Sequence, residues 1–434
     1  MAEKWLIVGS GGREHALGWS IAQEDIEVLY WLGNAGTSLE ARGRNVGCVG
    51  DNFRALAKIV EEEDVSHIVV GPEDYLDEGI VNFFHRRGFY NIFGPKGGSG
   101  NDSAAIIESD KFFSAELMTR LGIPQADYII CSNEDESRAA IEKMFTADGG
   151  VIKARGLTKG KGVLVCDSKE EALSNINSHI SSYGQDVLIS ERLFGQEFSV
   201  FGISDGNRII PMEISVQDHK RLLDGNFGPN TGGMASFCPA PIADIGMVNY
   251  VTDEMMTPVV KEMKRDGRGF KGFLYAAVIL TESGPEILEF NCRFGDPEMQ
   301  PVAMQAESFY RPIKASLEGS SDINFRVRKG GSCCVILASN GYPIDFETGL
   351  RIGGLEEVAK MSDIKVFHSG TAFDDGNNII TNGGRVLGVS AYSPLGVPEA
   401  TRLAYEAVNI IDTETTRIHN KRIFINRGDI GYSN

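Results

Sequence analysis

The sequence predicts an α/β and α+β multidomain protein, with a doubly wound parallel sheet at the N-terminus and a small α+β domain at the C-terminus. In the N-terminal part, short apolar runs at 5–8 and 68–70 alternate with helical patterns at 13–21 and 53–62. Strands that alternate with helices are typical of a parallel sheet. Antiparallel strand patterns follow, and a length of 434 residues is enough for about three domains.

We expect these domains to cover residues 1–104, 105–328 and 329–434. The middle domain contains a compact αβ module at about 125–190, which carries a glycine-rich flap between two strands. A small module of this kind, joined through exposed hinges, is typical of a lid that closes over a ligand.

Other segments give more local predictions. Residues 111–121 are predicted to form a helix that ends at Gly122. The glycine-rich stretch 217–234 is interpreted as a long loop. In the last domain, 366–373 and 379–392 are predicted to be paired strands.

The composition excludes several classes of protein. There are 42 basic and 60 acidic residues, so the net charge of −18 repels nucleic acid and acidic membranes. No apolar run approaches the ~20 residues of a membrane span, and the N-terminus has no secretory signal pattern. The seven cysteines have no C-x-x-C spacing, which favours reduced thiols. We therefore expect a cytoplasmic protein without nucleic-acid or membrane partners.

Glycine-bearing turns follow four predicted strands of the N-terminal sheet. Because ligands of such sheets lie beyond the carboxyl ends of the strands, these turns predict a binding rim where backbone can approach a ligand closely. The turns are at 9–12, 33–37, 71–73 and 94–95. A dinucleotide fold is the obvious alternative, but Glu14 stands where its fingerprint requires the third glycine.

The flap of the middle domain, 155–162, combines glycines with lysines. Exposed N–H donors and positive charge suit a cover over polyphosphate. The segment is not a P-loop, because the glycine spacing is one residue short and Gly162 replaces the required Ser or Thr. A solvated basic hairpin remains the alternative interpretation.

A late strand carries an unusual polar face. Alternation places Glu289, Asn291 and Arg293 on one side and Phe290 and Cys292 on the other. A carboxylate, an amide oxygen and a guanidinium suit a hard cation beside a phosphate-binding arginine. A structural ion pair between Glu289 and Arg293 is the alternative.

With these motifs in hand, the sequence resembles the glycinamide ribonucleotide synthetase family of the ATP-grasp superfamily. The most specific string is EFNCRFGDPE at 289–298. The other segments are 11–17 (GGREHAL), 33–37, 71–73, 217–221 (QDHKR), 228–234, 382–387 and 429–432. The resemblance runs nearly from end to end, and it implies a central ATP-grasp domain with a mobile lid.

The resemblance implies a reaction in which ATP, glycine and 5-phosphoribosylamine give glycinamide ribonucleotide, ADP and phosphate, in purine biosynthesis. ATP first converts glycine into glycyl phosphate, and the ribosylamine then displaces the phosphate. No protein nucleophile is required, so catalysis is expected from positioning and charge neutralisation. Mg²⁺ or Mn²⁺ is the implied cofactor, ATP is a co-substrate, and we expect the protein to act as a monomer.

The family's nucleotide and metal residues carry over position by position. Glu289 and Asn291 match the metal ligands. Glu191 and Leu193 belong to a hinge that resembles the family's adenine-binding hinge, and Glu197 matches its ribose-binding carboxylate. The residues expected around the ATP phosphates are Lys111, Lys153, Gly156, Gly160, Lys161 and Gly162.

Substrate residues carry over in the same way. Asp218 is expected to hold the glycine ammonium, and Arg293 to bind the glycine carboxylate and then the acyl phosphate. These two are the predicted catalytic residues. The other predicted substrate-binding residues are Gly11, Gly12, Asn34, Gly36, Glu73, Lys220, Asn230, Gly233 and Asp296.

The sequence departs from the family pattern at Arg155 and Lys159 in the flap, Ser190 in the hinge and Met299 after the long motif. These departures bear on closure of the flap and on the exact positions of the bound substrates, and not on the type of reaction. Two alternatives remain open at this point: another purine-pathway ATP-grasp enzyme, and a catalytically silent nucleotide-binding protein.

Overall fold

The computed structural model describes residues 3–47, 52–158, 162–320 and 323–431. Its first unit is a parallel sheet flanked by helices. In chain order the elements are β1 Lys4–Gly9, α1 Gly12–Ala22, β2 Glu27–Leu32, β3 Gly43–Val46, α2 Phe53–Glu62, β4 His67–Val70, α3 Glu73–Asp77, α4 Ile80–His85 and β5 Ile92–Phe93.

The strand order of this sheet is β3-β2-β1-β4-β5, and every pair is parallel. The chain therefore proceeds outward from β1 in one direction, returns, and continues in the other. This confirms the predicted doubly wound sheet. It also places the turns after β1, β2 and β4 on one edge, at the point where the strand order reverses.

The second unit contains a small four-stranded antiparallel sheet with the order β6-β9-β7-β8. The elements are α5 Ile106–Ser109, α6 Lys111–Leu121, β6 Tyr128–Cys131, α7 Glu134–Met144, β7 Gly150–Ala154, β8 Val163–Cys166, α8 Lys169–Tyr183 and β9 Val187–Ser190. Helix α6 has the predicted bounds, because Asp110 caps its first amides and Gly122 ends it with φ +67°. Ile141 and Ile176 pack with Ile152 in a separate core for this module.

A long sheet forms the rest of the second unit. Its elements are β10 Gln196–Asp205, β11 Ile209–Leu223, β12 Phe227–Cys238, α9 Ile245–Tyr250, α10 Thr257–Arg265, β13 Lys271–Thr281, β14 Gly284–Asn291, α11 Met299–Gln305 and α12 Tyr310–Glu318, with a π-helical turn at Val251–Met256 before α10. Phe93 of the first unit packs edge-on against Phe273, with ring centroids 4.9 Å apart. The parallel sheet is thereby fixed against the long sheet.

The long sheet continues into the third unit. That unit comprises β15 Gly331–Ser339, α13 Leu355–Val358, β16 Ile364–His368, β17 Thr371–Phe373, β18 Ile379–Thr381, β19 Arg385–Ser393, α14 Val397–His419 and β20 Phe424–Ile425. The strand order is β14-β13-β10-β11-β12-β15-β19-β16, and β12 pairs antiparallel with β15. Strand pairing between residues so far apart in sequence leaves no local pattern to detect.

Two local predictions need correction. The expected loop at 217–234 is wrong, because β11 and β12 form a hairpin around a short tip. Glycine is uncommon inside strands, so the glycines of this segment indicated a loop instead. The strand pairing also has register shifts near Arg221. The paired strands at 366–373 and 379–392 are present but interrupted: β16 pairs with β19, and β17 with β18.

None of the helices in the described ranges combines the length and the apolar character that crossing a membrane requires.

Candidate active site

Two of the predicted nucleotide residues and one predicted metal ligand lie in a cleft between the β6–β9 module and β14. Lys111 begins α6 and Lys153 lies on β7, and both line this cleft with Glu289. The Nζ of Lys153 donates to the carbonyl of Leu288 at 3.2 Å. Burial lowers the pKa of Lys153, and the carboxylate of Glu289 opposes that shift. The cleft thus holds amines and a carboxylate in one place.

Glu289 and Asn291 lie side by side at the end of β14. The amide nitrogen of Asn291 is 3.5 Å from Oε1 of Glu289. Burial tends to raise the pKa of Glu289, but Lys111 and Lys153 lower it below the usual value, so the group is a carboxylate at neutral pH. A carboxylate and an amide oxygen are hard ligands, and a site with two protein ligands leaves room for phosphate oxygens and water. The donor set therefore fits Mg²⁺ or Mn²⁺.

Arg293 lies two residues after Asn291, beyond the end of β14 on which it was predicted, and is held by two carboxylates. Its Nε donates to Oε2 of Glu73 at 3.1 Å, and its Nη2 lies 2.8 Å from Oε1 of Glu108. The backbone N–H of Cys292 donates to the other oxygen of Glu108 at 2.7 Å. The alternative ion pair between Glu289 and Arg293 is not formed, since the guanidinium is engaged elsewhere.

Glu73 connects this arginine to the N-terminal rim. Its Oε2 also lies 3.7 Å from Nη1 of Arg13, a residue of α1. Burial opposes ionisation, yet Arg293 and Arg13 together lower the pKa of Glu73 to about 2. Two predicted residues that are 220 positions apart are thus in direct contact. Sequence reasoning missed both Arg13, although it lies in a quoted motif, and Glu108, which no motif marks.

A second charged cluster surrounds Lys220 on β11. Its Nζ lies 2.7 Å from Oε2 of Glu197 and 3.0 Å from Oδ2 of Asp218. Burial opposes the charge, but these two carboxylates hold the pKa of Lys220 well above its usual value. Three of the predicted residues are therefore brought together.

Glu298 adds a third carboxyl to this cluster. Burial and the neighbouring Asp218 raise the pKa of Glu298 to about 7, and Tyr275 donates its hydroxyl to Oε1 at 2.9 Å. One lysine beside three carboxyl groups leaves an excess of acceptors that suits an ammonium group. Sequence reasoning did not identify Glu298 or Tyr275 as site residues, because their neighbours come from other strands.

The predicted rim glycines face residues from distant parts of the chain. A Cβ on Gly11 would lie 3.3 Å from Oδ2 of Asp296, and one on Gly12 only 2.6 Å from Oγ of Ser369. Asp296 is in turn paired with Nη2 of Arg385 at 3.2 Å. Glycine is therefore required where the first unit meets these side chains, and α1 begins at this edge, where the N–H of Gly11 donates to Oε2 of Glu14 at 2.8 Å.

Asn34 and Gly36 lie at the same edge of the parallel sheet, where they contact residues of the first and third units. The amide nitrogen of Asn34 donates to the carbonyls of Ser10 and His368, both at 2.8 Å. A Cβ on Gly36 would lie 2.4 Å from Cγ of His368. The Asn34 side chain thus joins the first and third units at the rim.

The hinge and the flap show further contacts. Glu191 accepts from the backbone N–H of Asp127 at 2.9 Å, and Leu193 follows it, partly exposed. Arg155 is paired with Asp110 at 2.8 Å and Asp186 at 3.1 Å, which accounts for a basic residue at this departure from the family pattern.

The remaining predicted residues are placed as follows. Gly156 has open space where a side chain would be, and Gly162 donates its N–H to Oγ1 of Thr158 at 2.9 Å. Asn230 is exposed on β12, and Gly233, at φ +108°, packs against Pro297. Gly160 and Lys161, together with Lys159, lie outside the described residues.

Two buried hydroxyls in the cleft lined by Lys111, Lys153 and Glu289 were also missed. Ser114 and Ser190 both line it, and their Oγ atoms have no hydrogen-bond partner within the described part of the chain. A buried polar atom without a partner is costly unless a ligand or water satisfies it. No sequence signal marks Ser114.

A buried histidine cluster joins the rim to the third unit. His15 lies 2.8 Å from Glu40 through Nε2, and its Nδ1 accepts from the backbone N–H of His368 at 2.9 Å. Lys365 also contacts Glu40, at 2.5 Å. Burial lowers the pKa of His368 to about 3, and the nearby His15 adds to the shift.

This cluster predicts acid sensitivity. Because the folded state holds His368 neutral, its contribution to stability is complete above pH ~6.5 and is lost as the pH falls toward 3. Between pH 7 and 5, we expect the wild-type free energy of unfolding to fall by about 2 kcal/mol more than that of His368→Gln. Urea unfolding at both pH values measures this difference. Equal losses in the two proteins would contradict it.

Comparison with known proteins gives a consistent result. Residues 3–108, 109–299 and 332–433 match the N domain, the ATP-grasp (A) domain and the C domain of phosphoribosylglycinamide synthetase. The phosphoribosylamine–glycine ligase of Rhodopirellula baltica is 40% identical over 422 residues, which cover 94% of each chain. The human trifunctional purine biosynthetic protein adenosine-3 is 39% identical over 403 residues, which cover 90% of this chain and 39% of that protein.

Solved structures agree with these matches. The crystal structure of the Thermotoga maritima phosphoribosylamine–glycine ligase superimposes with a TM-score of 0.80 at 32% identity, covering 98% of this chain and 99% of that one. A biotin carboxylase from Campylobacter jejuni has a TM-score of 0.69 at 13% identity, a likeness of fold alone. From the three matched domains and these near full-length relatives, we conclude that the chain belongs to the phosphoribosylglycinamide synthetase family.

Proposed function

We propose that this protein is an ATP-dependent ligase that joins glycine to 5-phosphoribosylamine and releases glycinamide ribonucleotide, ADP and phosphate, a step of purine biosynthesis. The observation that carries the proposal is the position of Arg293. It adjoins the Glu289–Asn291 pair of the nucleotide cleft and is bonded to Glu73 on the rim of the first unit. The reaction joins glycyl phosphate to 5-phosphoribosylamine, so a residue that contacts both must lie between the cleft and the rim.

The first step activates glycine, because a carboxylate is a poor electrophile. A carboxylate oxygen of glycine attacks the γ-phosphorus of ATP, ADP leaves, and glycyl phosphate forms. Lys111 and Lys153 are placed to balance the charge of the phosphates, and Arg293 can bind the carboxylate with N–H groups that its contacts with Glu73 and Glu108 do not use. A divalent ion held by Glu289 and Asn291 would supply further charge neutralisation.

The second step forms the C–N bond. The amine of 5-phosphoribosylamine attacks the acyl carbon, the C–O bond to phosphate breaks, and the nitrogen loses a proton. The carboxylate of Asp218, beside Glu298, suits the ammonium end of glycine. With glycine held at this end and at Arg293, the acyl carbon is fixed between the two clusters.

The rim of the first unit suits the phosphoribosyl group. Gly11 and Gly12 open α1, so the positive end of the helix dipole is directed to this edge and attracts an anion, although the N–H of Gly11 already donates to Oε2 of Glu14 at 2.8 Å. Asp296 lies beside them and can accept from ribose hydroxyls. Because a single chain carries the residues assigned to all three substrates, we infer that it acts as a monomer. We infer the cytoplasm as its compartment, where the six described cysteines, all free, stay reduced.

The proposal is tested by phosphate release in the presence of ATP, Mg²⁺, glycine and 5-phosphoribosylamine generated in situ. We expect sustained release only when all components are present, with glycinamide ribonucleotide formed in equal amount. ATP binding without turnover would instead indicate a silent nucleotide-binding protein. Turnover that does not require glycine would indicate another ATP-grasp reaction.

We further infer that the module of about 125–190 acts as a lid. It has its own core, and Arg155 at the base of the flap bridges it to the N-terminus of α6. Tryptic cleavage between 155 and 163 should be slowed several-fold by Mg·ATP, because closure buries the flap. Cleavage rates elsewhere in the chain serve as the control. Equal cleavage of the flap with and without nucleotide would contradict a lid.

A further inference from the structure

The chain's C-terminal segment holds the tip of the β11–β12 hairpin. The guanidinium of Arg427, only 2% exposed, donates to both carboxylate oxygens of Asp429, at 2.8 and 2.5 Å. Its Nη1 donates to Oδ1 of Asn226 in the hairpin tip at 2.7 Å. A buried arginine thus connects the end of the chain to a turn about 200 residues earlier.

Backbone groups complete the connection from both sides. The N–H of Gly225 donates to Oδ2 of Asp429 at 2.8 Å, and the N–H of Gly428 donates to Oδ1 of Asp224 at 2.7 Å. We call this set of contacts between residues 224–226 and 427–429 the C-terminal clamp. The tip takes a left-handed turn, with φ +67° at Gly225 and φ +60° at Asn226, which the clamp stabilises.

The anchor of the clamp is itself fixed. The hydroxyl of Tyr405, on α14, donates to the carbonyl of Arg427 at 2.9 Å and accepts from the N–H of Ile430 at 3.1 Å. Ile430 is fully buried against the core of the third unit. The clamp therefore ties the hairpin tip to a rigid part of the protein.

The hairpin has little else to fix its tip. Leu223 and Phe227 are 44% and 71% exposed, so the tip has no apolar core of its own. The ladder between β11 and β12 also shifts register on both sides of Arg221, which weakens the pairing between the tip and the base. Leu222 packs with Ile336 of β15 just before the tip, and the tip itself, 224–226, is held by polar contacts from outside the hairpin.

The site residues lie immediately behind this weak ladder. Asp218 and Lys220 are on β11, and His219 between them is directed to the opposite side, where its ring packs near Phe237. Burial and the charge of Arg427 lower the pKa of His219 to about 4. The Nη1 of Arg427 also donates to the carbonyl of Arg221 at 3.5 Å, so Arg427 lies close behind the segment that carries the ammonium-binding carboxylate.

We propose that Arg427, Asp429 and Asn226 are positioning residues that fix Asp218 and Lys220 in the orientation that binds glycine. This rests on the proposed function, which assigns the ammonium of glycine to Asp218. The clamp touches no substrate, and it acts by restricting the hairpin. This proposal gives a function to the C-terminal motif at 429–432. It also gives one to His219 of the QDHKR segment, which the reaction does not use.

The test changes the hairpin side of the clamp. Asn226→Gly removes the acceptor for Arg427 and still allows the left-handed backbone, whereas Asn226→Asp keeps both features. We expect Asn226→Gly to raise the KM for glycine about tenfold while the KM for ATP changes less than about twofold, because Lys111 and Glu289 lie on other elements. Asn226→Asp should behave like the wild type.

A second variant tests the other side. Asp429→Asn should raise the KM for glycine to a similar extent. Because both substitutions break the same network, the double variant Asn226→Gly with Asp429→Asn should have a KM for glycine no higher than that of the more affected single variant. Lys421→Ala, which breaks an exposed ion pair with Glu347 in the same C-terminal segment, should leave all constants unchanged. Thermal melting is recorded for each protein.

Two results would overturn the proposal. One is an unchanged KM for glycine in folded Asn226→Gly. The other is an equal rise of the KM values for glycine and ATP, which would indicate a general loss of structure. A wild-type protein without ligase turnover would contradict the proposed function instead. An active wild type with unaffected clamp variants would contradict only the positioning role.

Discussion

Arg293→Ala should lower turnover by about 100- to 1000-fold, because it removes the guanidinium expected to stabilise the acyl phosphate. It should also destabilise the protein by about 3 kcal/mol or more, since Glu108 loses its guanidinium partner and Glu73 keeps only the longer contact with Arg13. The Glu108 side chain is only 8% exposed, so its unpaired carboxylate cannot be solvated without local rearrangement. Turnover and urea unfolding measured on the same protein give both effects.

A double variant separates catalysis from stability. Glu108→Gln removes the buried negative charge, so Arg293→Ala combined with Glu108→Gln should recover much of the lost stability. Turnover should remain as low as in Arg293→Ala. Recovery of turnover together with stability would show that Arg293 has only a structural role.

Glu289→Gln should lower turnover by about 100- to 1000-fold with little loss of stability. The substitution keeps the shape of the side chain and removes one charged ligand. Glu289 has no ion-pair partner within 4 Å among the described residues, so the substitution breaks no direct ion pair. We expect the Mg²⁺ concentration at half-maximal rate to rise as well. Titration of turnover with Mg²⁺ measures both changes.

The matched control is Phe290→Leu, on the opposite face of the same strand. Phe290 is 1% exposed and packs in the main core, so this substitution should lower the melting temperature more than it lowers turnover. Near-wild-type turnover of Glu289→Gln at saturating Mg²⁺ would contradict the metal assignment.

Features with a local physical cause could be predicted from the sequence. The bounds of α6 follow from Asp110 at one end and Gly122 at the other. The polar face of β14 follows from alternation, which places Glu289 and Asn291 together and directs Phe290 into the core. The doubly wound sheet follows from the alternation of strands and helices.

Features that depend on distant segments could not be predicted in this way. Glu108 is recognisable as a partner of Arg293 only after folding brings the two together across 185 positions. The glycines at 225 and 228 indicated a loop, although pairing across the tip extends both strands of the hairpin. The pairing of β12 with β15, which joins the second and third units into one sheet, has no pattern of its own in the sequence.

In the proposed reaction, ATP activates the carboxylate of glycine and an amine then displaces phosphate. Glycine labelled with ¹⁸O in both carboxylate oxygens tests it directly. If glycyl phosphate forms, one labelled oxygen bridges carbon and phosphorus and leaves with the phosphate, while the other stays in the amide. Mass spectrometry should therefore find one ¹⁸O in each phosphate released during glycinamide ribonucleotide formation, and unlabelled phosphate accompanying product would contradict the account.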